Sequence, residues 1–168
     1  MLNIYVKSFN RPYYLDRCLA SINLFVEGTY KVVVLDDGTP EKYLQKIKSK
    51  YPTIEIILSD QYAYKIKSIQ DNLEFGHQID GFKIPISMWK SAVKNGSEYM
   101  IMTEDDVWFT EKINVDHLVK IMKEEEMVFL KLGWISQRKI KSEIKPLRDS
   151  VLSVRPKIIL GPRWFMKN

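Results

Sequence analysis

Residues 99–109 read Tyr99-Met100-Ile101-Met102-Thr103-Glu104-Asp105-Asp106-Val107-Trp108-Phe109, a short apolar run that ends in three adjacent carboxylates. An apolar run of this length predicts a strand buried on both faces, as in a parallel sheet covered by helices. The three acids then lie at the carboxyl end of that strand. Because neighbouring negative charges repel, they need solvent or a cation. Mg²⁺ or Mn²⁺ shared with phosphate oxygens is one solution, and an exposed acidic turn is the alternative.

Length and composition indicate one globular domain. The chain has 168 residues, of which 45% are hydrophobic and 28% are charged, as in ordinary folded proteins. The lone cysteine, Cys18, excludes an internal disulfide and fits a reducing compartment. No apolar run approaches the roughly 20 residues that cross a bilayer, and residues 1–7 lack the layout of a signal peptide. We therefore expect a cytoplasmic protein.

The net charge of +5 is unevenly distributed. Residues 1–130 hold 16 Lys and Arg against 19 Asp and Glu, whereas residues 131–168 hold 10 against 2. A basic carboxyl-terminal segment is able to contact phosphates, an acidic glycan, an anionic membrane surface or nucleic acid. We expect peripheral membrane contact rather than nucleic acid among these, and a solvated lysine-rich surface is the alternative.

Strands alternate with helices in the first part of the chain. Residues 31–35 are nearly all β-branched and apolar, which is typical of a buried parallel strand. Leu15, Leu19, Ile22 and Val26 recur at helical spacing. By these criteria, strands are predicted at 2–7, 31–35 and 54–58, and helices at 13–26 and 41–50.

The second part is less regular. Polar residues and glycines interrupt any period between residues 61 and 83, so we predict an irregular region with one helical turn at most. Pro85 suits the first residue of a helix that carries Ile86, Trp89 and Val93 inward and closes at residues 95–96. Asn114 is expected to cap a helix whose inward residues are Val115, Leu118, Val119 and Met122. Further strands are predicted at 127–132, 151–154 and 158–160.

This alternation predicts an α/β fold with a mostly parallel central sheet flanked by helices. Ligands of such sheets bind outside the carboxyl ends of the strands. Four polar segments fall there, so we expect one crevice to collect residues 8–11, 36–38, 59–60 and 104–106.

The acids in this crevice suit different parts of a nucleotide. Asp36 or Asp37, beside Gly38, is able to accept hydrogen bonds from a nucleobase imide and from ribose hydroxyls; a helix cap is the alternative. Alternation along an extended segment predicts that Glu104 and Asp106 point to one side and Asp105 to the other. We expect Asp106 to be the direct metal ligand, with Asp105 or Glu104 contacting ribose or the metal through water.

Ordered motifs carry a family resemblance over residues 2–109. This part of the chain resembles the signature of inverting glycosyltransferases of family 2. The matching residues are 8–11, 15, 18–22, 33–39 and 95–99 leading into 104–106. Enzymes of that family have the GT-A fold, a Rossmann-like three-layer sandwich. The resemblance implies sugar transfer from a nucleotide-diphosphate sugar donor to a hydroxyl of a glycan, lipid-linked or protein acceptor. It also implies nucleotide binding by Ser8, Asn10, Arg11, Asp36, Asp37 and Asp105, and binding of Mn²⁺ or Mg²⁺ by Glu104, Asp105 and Asp106.

The resemblance leaves the catalytic base unassigned. Inversion requires a carboxylate that deprotonates the acceptor hydroxyl, and only Glu143 and Asp149 lie beyond residue 130, in no recognisable motif. We expect a single domain over residues 1–168, with a nucleotide-sugar-binding part at 1–110 and an acceptor-side part at 111–168. The chain is short for the fold, as in a compact member, a truncated protein or one completed by a partner.

Other functions fit the sequence less well. A sugar-nucleotide pyrophosphorylase would need a glycine-rich loop after the first strand, and residues 8–12 contain no glycine. A phospho-receiver domain would carry a pair of acids after the first strand, where this chain has none. A non-catalytic module that binds a nucleotide sugar or an acidic polymer remains the alternative. Trp108, Trp134 and Trp164 are able to line a sugar site, although packing explains them equally.

Overall fold

The computed structural model describes residues 1–77, 82–128, 130–132 and 158–159. The chain divides into two compact units, Met1–Asp116 and His117–Asn168. The predicted single domain, with its division after residue 110, stays a prediction.

Four parallel strands form the central sheet of the first unit. They are β1 (Leu2–Ser8), β3 (Tyr30–Asp36), β4 (Glu55–Leu58) and β5 (Met100–Glu104), in the order β4-β3-β1-β5. The register pairs Ser8 with Asp36, Asp36 with Leu58, and Lys7 with Glu104. All four carboxyl ends therefore meet at one edge, as a parallel α/β fold requires.

Five helices and two small ladders complete the described chain. The helices are α1 (Pro12–Phe25), α2 (Glu41–Lys50), α3 (Tyr62–Phe75), α4 (Ile86–Lys94) and α5 (Val115–Glu124). A short strand β2 (Val26–Glu27) pairs with β6 (Ile113–Asn114), and β7 (Lys131–Leu132) pairs antiparallel with β8 (Ile158–Ile159). Among the described residues, no helix combines the length and apolar character that a membrane span needs.

Both faces of the two central strands are covered. Tyr5, Val33 and Leu35 point to one face and pack in a cluster with Met88 and Ala92 of α4. Their neighbours in the strands point the other way and are also fully buried, namely Ile4, Val6 and Val34. The mixed α/β fold with a mostly parallel sheet between helices, predicted from the alternation of strands and helices, is confirmed.

The region predicted to be irregular contains a 14-residue helix, α3, so that prediction was wrong. The reason is visible in what the helix buries. Its buried residue is Lys65 rather than an apolar side chain, because a carboxylate from another segment neutralises the lysine. A search for apolar residues at helical spacing cannot detect a helix that is held in this way.

The face that α4 buries also differs from the prediction. Met88 and Ala92, one turn apart, are buried, whereas Ile86 and Val93 are more than half exposed and Trp89 is half-buried. Both sets of residues have helical spacing, so the sequence alone does not distinguish them. Contacts with Tyr5, Val33 and Leu35 select the smaller pair.

Two predicted strands need correction. Strand β5 was expected to be buried on both faces, but it pairs only with β1 among the described residues, and Met102 is 40% exposed. An edge strand has a neighbour on one side only and is covered less completely. Of the described residues in the predicted strand 127–132, which exclude residue 129, only Lys131–Leu132 form a strand. Residues 151–154, predicted as a strand, lie outside the described part of the chain.

Candidate functional site

Three backbone hydrogen bonds join the ends of the four strands at the carboxyl edge of the sheet. The amide of Asp37 donates to the carbonyl of Ser8 (2.9 Å), and the amide of Asp105 donates to the carbonyl of Lys7 (3.0 Å). The amide of Ser59 donates to the carbonyl of Asp36 (3.0 Å). The polar segments after β1, β3, β4 and β5, which are far apart in sequence, are therefore neighbours at this edge.

Arg11 connects the loop after β1 to the acidic segment after β5. Asn10 has φ of 49°, in the left-handed region that asparagine tolerates better than most residues. The next residue, Arg11, precedes α1 and sends its guanidinium to Asp105 (2.5 Å) and Asp106 (2.8 Å). Burial opposes the charge of Arg11, but the two carboxylates outweigh it and raise its pKa.

The three acids after β5 do not alternate as an extended strand would. Glu104 pairs with Lys7 (2.7 Å), while Asp105 and Asp106 share Arg11. The chain turns immediately after β5, where the amide of Val107 donates to the carbonyl of Glu104 (3.1 Å). The expectation that Asp105 points away from Asp106 was therefore wrong, because the turn replaces the extended backbone.

Asp105 and Asp106 differ in their access to solvent. Asp105 is fully buried, and burial raises its pKa although Arg11 acts in the opposite direction. The side chain of Asp106 is 38% exposed and that of Arg11 is 42% exposed. Of Arg11 and its two carboxylates, Asp106 and Arg11 are thus the members that a ligand is able to reach; Glu104, whose side chain is 52% exposed, is accessible as well.

The side chains able to coordinate a metal ion show whether a divalent metal fits this site. Among the described residues, no three histidine, cysteine or acidic side chains are close enough to enclose a metal ion. Lys7 and Arg11 pair with the three acids and leave one negative charge in excess. Mg²⁺ commonly takes one or two carboxylates and completes its shell with phosphate oxygens and water. The half-exposed carboxylate of Asp106 fits that arrangement, in which the metal is shared with a diphosphate.

Asp36 makes the contacts of a turn cap. It is fully buried, and its Oδ1 accepts hydrogen bonds from the amides of Gly38 (3.0 Å) and Thr39 (2.8 Å). Burial raises the pKa of Asp36 in spite of these bonds. Gly38 has φ of +156°, and a Cβ there would lie 2.7 Å from the ring of Phe9. The turn therefore needs glycine at this position.

Asp37 is held by a buried lysine that the sequence did not reveal. The Nζ of Lys65 forms an ion pair with Asp37 Oδ2, and the hydroxyl of Ser59 donates to Oδ1. The ammonium also donates to the carbonyl of Lys83 (2.7 Å). It lies 5.4 and 5.5 Å from the ring centroids of Phe9 and Phe82.

This cage of carboxylate, carbonyl and two rings explains how a fully buried ammonium is tolerated. No local signal marks Lys65, since the groups that hold it come from other loops.

Cys18 lies behind the acids and is not a nucleophile. It is fully buried, and its thiol contacts the carbonyl of Glu104 (3.7 Å). Burial, with the nearby carboxylates, raises the pKa of Cys18 to about 12. The thiol therefore stays protonated and acts as a small packing group between α1 and β5.

A cavity of the described structure lies on one face of the sheet. Its volume is about 440 Å³, and it runs between the face of the sheet and α4, where Tyr5, Val33, Met88 and Ala92 line it with their neighbours. Asp60, from the polar segment after β4, lines it, whereas none of the predicted nucleotide-binding or metal-binding residues does. We base the candidate site on the converging charged groups rather than on this cavity.

Comparison with known proteins gives a similarity of fold. No family model matches the chain, and no curated protein sequence is similar enough to match. A crystal structure of S. aureus TarS, a glycosyltransferase, superimposes with a TM-score of 0.52 at 14% identity, covering 87% of this chain and 23% of TarS. A structure of TarS residues 1–349 gives a TM-score of 0.50 at 14% identity, with 86% and 38% covered. The chain therefore has a glycosyltransferase-like fold and spans about a quarter of TarS.

Proposed function

We propose that this chain is a glycosyltransferase domain that moves a sugar from a nucleotide-diphosphate donor to an acceptor hydroxyl, in the manner of inverting family 2 enzymes. One observation carries the proposal. Arg11, in the loop after β1, pairs with Asp105 and Asp106 after β5, while Asp37 after β3 is hydrogen-bonded to Ser8 at the same edge. Ligands of parallel α/β sheets bind at this edge.

The nucleoside is assigned to the side of the edge that holds Asp37. Lys65 and Ser59 fix this carboxylate, yet each of its oxygens keeps capacity for a further hydrogen bond. A nucleobase imide N–H or a ribose hydroxyl is able to donate to it. Ser8, whose carbonyl accepts from the amide of Asp37, adjoins this position, and Asn10 is assigned to the nucleoside with it. In this assignment Asp36 holds the turn that presents Asp37, and its role in binding is indirect.

The diphosphate is assigned to Arg11 and Asp106. The guanidinium, 42% exposed, offers planar N–H donors that suit phosphate oxygens. Mn²⁺ or Mg²⁺, held by Asp106 and the diphosphate, would supply Lewis-acid neutralisation of the departing nucleoside diphosphate. Buried Asp105 would hold the guanidinium in place, and Glu104, paired with Lys7, would keep the end of β5 in position.

The acceptor side of the reaction remains open to assignment. The two acids considered for the general base, Glu143 and Asp149, lie outside the described residues. Asp37, Arg11 and Asp106 are assigned to binding of the donor. They therefore do not indicate whether the acceptor is a glycan, a lipid-linked molecule or a protein.

A binding panel tests the donor site. The full chain is titrated with UDP, GDP, CDP and dTDP sugars with and without Mn²⁺, and the melting temperature is followed, since a ligand specific for the folded state raises it. We expect one nucleotide to give a shift that grows with Mn²⁺. Asp106→Asn should abolish the Mn²⁺-dependent part of the shift and leave the melting temperature without ligand nearly unchanged.

A matched control is Glu55→Gln, which removes a half-exposed carboxylate paired with Lys31 near the start of β4. It should retain the full Mn²⁺-dependent shift. Release of nucleoside diphosphate in the presence of donor and Mn²⁺ separates a transferase from a binding module, because only an enzyme breaks the sugar–phosphate bond. A chain that binds no nucleotide sugar, or whose Asp106→Asn variant responds to Mn²⁺ as before, contradicts the proposal.

A further inference from the structure

An exposed row of aromatic rings and arginines begins at the acidic cluster and extends along α1. It consists of Arg11, Tyr14, Trp108, Arg17 and Tyr13, in that order. The guanidinium of Arg11 lies 5.9 Å from the Tyr14 ring centroid, and the Tyr14 ring is nearly parallel to Trp108 at 6.2 Å and 7°. Arg17 lies over Trp108 (4.5 Å) and 5.9 Å from Tyr13. We call these five residues the aromatic–arginine row.

The row exposes more ring surface than packing alone requires. Tyr13, Tyr14 and Trp108 are 66%, 43% and 37% exposed. Contiguous apolar surface left in water is unfavourable, and on soluble proteins such patches commonly mark binding surfaces. Tryptophan, tyrosine and arginine are also the residues that contribute most often to binding hot spots.

Arg17 is the residue of the row whose positive charge is most available to a ligand. Arg11 is engaged by Asp105 and Asp106. Arg17 is exposed and contacts only the faces of Tyr13 and Trp108, with no carboxylate in ion-pair distance among the described residues. A guanidinium stacked on a ring keeps its N–H donors directed outward from the guanidinium edge, where they are able to bind an anion.

We propose that the aromatic–arginine row binds a segment of an acidic glycan, the acceptor of the sugar transfer proposed above, on which this inference rests. The C–H face of a sugar ring packs on the exposed rings of Tyr14 and Trp108, and a carboxylate or phosphate of the same chain accepts hydrogen bonds from Arg17. Because Arg11 belongs both to the row and to the diphosphate side of the donor site, a glycan on the row ends beside the donor.

A single-stranded nucleic acid would use similar side chains, but the surroundings favour a glycan. Nucleic-acid grooves follow the phosphate backbone with a track of positive charge. Residues 1–130 hold 16 basic residues against 19 acidic ones, and two acids, Asp105 and Asp106, border the row at Arg11. Arg17, a single guanidinium that has no carboxylate partner in the described part of the chain and lies between two aromatic rings, is complementary to a ligand that carries isolated negative charges on sugar rings.

Calorimetric titration of the full chain in EDTA, without nucleotide, tests the row independently of the donor site. The probes are a hyaluronan hexasaccharide for carboxylates, a phosphorylated dextran for phosphates, and a neutral N-acetylglucosamine hexamer. We expect one or both acidic probes to bind at least fivefold more tightly than the neutral one. Arg17→Gln and Trp108→Leu should each raise the Kd of that acidic probe at least fivefold.

Lys42 and Tyr43 on α2 provide matched controls, because Lys42 also lies over an exposed ring, that of Tyr43, at 5.0 Å. Lys42→Gln and Tyr43→Leu should leave the Kd within twofold. Equal binding of all three probes, no binding, tighter binding of a single-stranded oligonucleotide, or unchanged affinity in Trp108→Leu would each overturn the proposal. Loss of nucleotide-sugar binding with glycan binding retained would instead contradict the donor site and leave the row intact.

Discussion

Two corners of the same sheet edge hold a buried aspartate next to a cation, and they are built differently. At the end of β3, Asp37 is neutralised by Lys65, a fully buried ammonium enclosed by Phe9 and Phe82. At the end of β5, Asp105 is neutralised by Arg11, whose guanidinium is 42% exposed. In the first pair only 9% of the Asp37 side chain is exposed, whereas the second pair is open on the side of Arg11.

Because of this difference, the two cations differ in how freely they can change partners. A buried ion pair cannot exchange partners without leaving a charge unsolvated, so the Lys65 corner should be rigid. Arg11 is able to turn from Asp106 toward a ligand because water and the ligand replace what it loses. We therefore expect the Asp37 corner to determine stability and to bind without rearranging, and the Arg11 corner to rearrange when a ligand binds.

The largest expected effect comes from Lys65→Met, which leaves Asp37 buried without its cation. Breaking a buried pair on one side costs about 3–5 kcal/mol, measured as the free energy of unfolding in urea. Lys67→Met, at an exposed position of the same helix, should change it by less than about 0.5 kcal/mol. If the two substitutions cost the same, Lys65 does not stabilise the corner as described.

Arg11→Met should have a smaller effect, about 1–2 kcal/mol, because hydrogen bonds to charged groups contribute about 1.5–3 kcal/mol when shielded and less when half exposed. Asp106 gains hydration in the variant, and buried Asp105 loses its partner. The same urea titration measures the effect, with Arg17→Met as the control that removes a guanidinium lacking a carboxylate. A cost above that of Lys65→Met would reverse the comparison of the two corners.

The smallest expected effect is the dependence of stability on pH that arises from Asp36. The pKa of Asp36 is raised by burial, so the folded state binds its proton more tightly than the unfolded state, where the pKa is about 3.9. Its contribution to stability is therefore present below the unfolded pKa and is lost as pH rises through the folded pKa.

Asp36→Asn keeps an oxygen for the amides of Gly38 and Thr39 but has no charge to bury. Urea titrations between pH 4 and 8 should show a smaller loss of stability with rising pH than in the parent chain. Asp60→Asn, at an exposed site, should keep the parent's pH dependence. An unchanged profile in Asp36→Asn would show that the buried charge of Asp36 is not the source.

Most of the framework was predictable because it depends on neighbours along the chain. The β-branched run of β3 and the spacing of Leu15, Leu19 and Ile22 identified the strand and the helix α1, and Glu41–Lys50 was predicted residue for residue. Helix α3 was missed because its buried residue is Lys65. The buried face of α4 was predicted wrongly because two sets of residues have the same spacing.

The candidate site was predictable as a set of positions and not as a network. Residues at the carboxyl ends of parallel strands must share an edge, which is why Ser8, Asp36 and Glu104 were grouped correctly in space. Their roles as ligands remain predictions. The pairing of Lys7 and Arg11 with the acids after β5 was not predicted, and the divalent ion stays a prediction.

The sequence by itself determined the alternation of strands and helices and the acidic ends of the strands, since periodicity and turn residues act over a few positions. Only the tertiary structure decided which charge meets which. Asp37 and Lys65 are 28 residues apart, and Arg11 and Asp106 are 95 apart. Electrostatic pairing depends on distance in space and on burial, and neither quantity exists until the chain has folded.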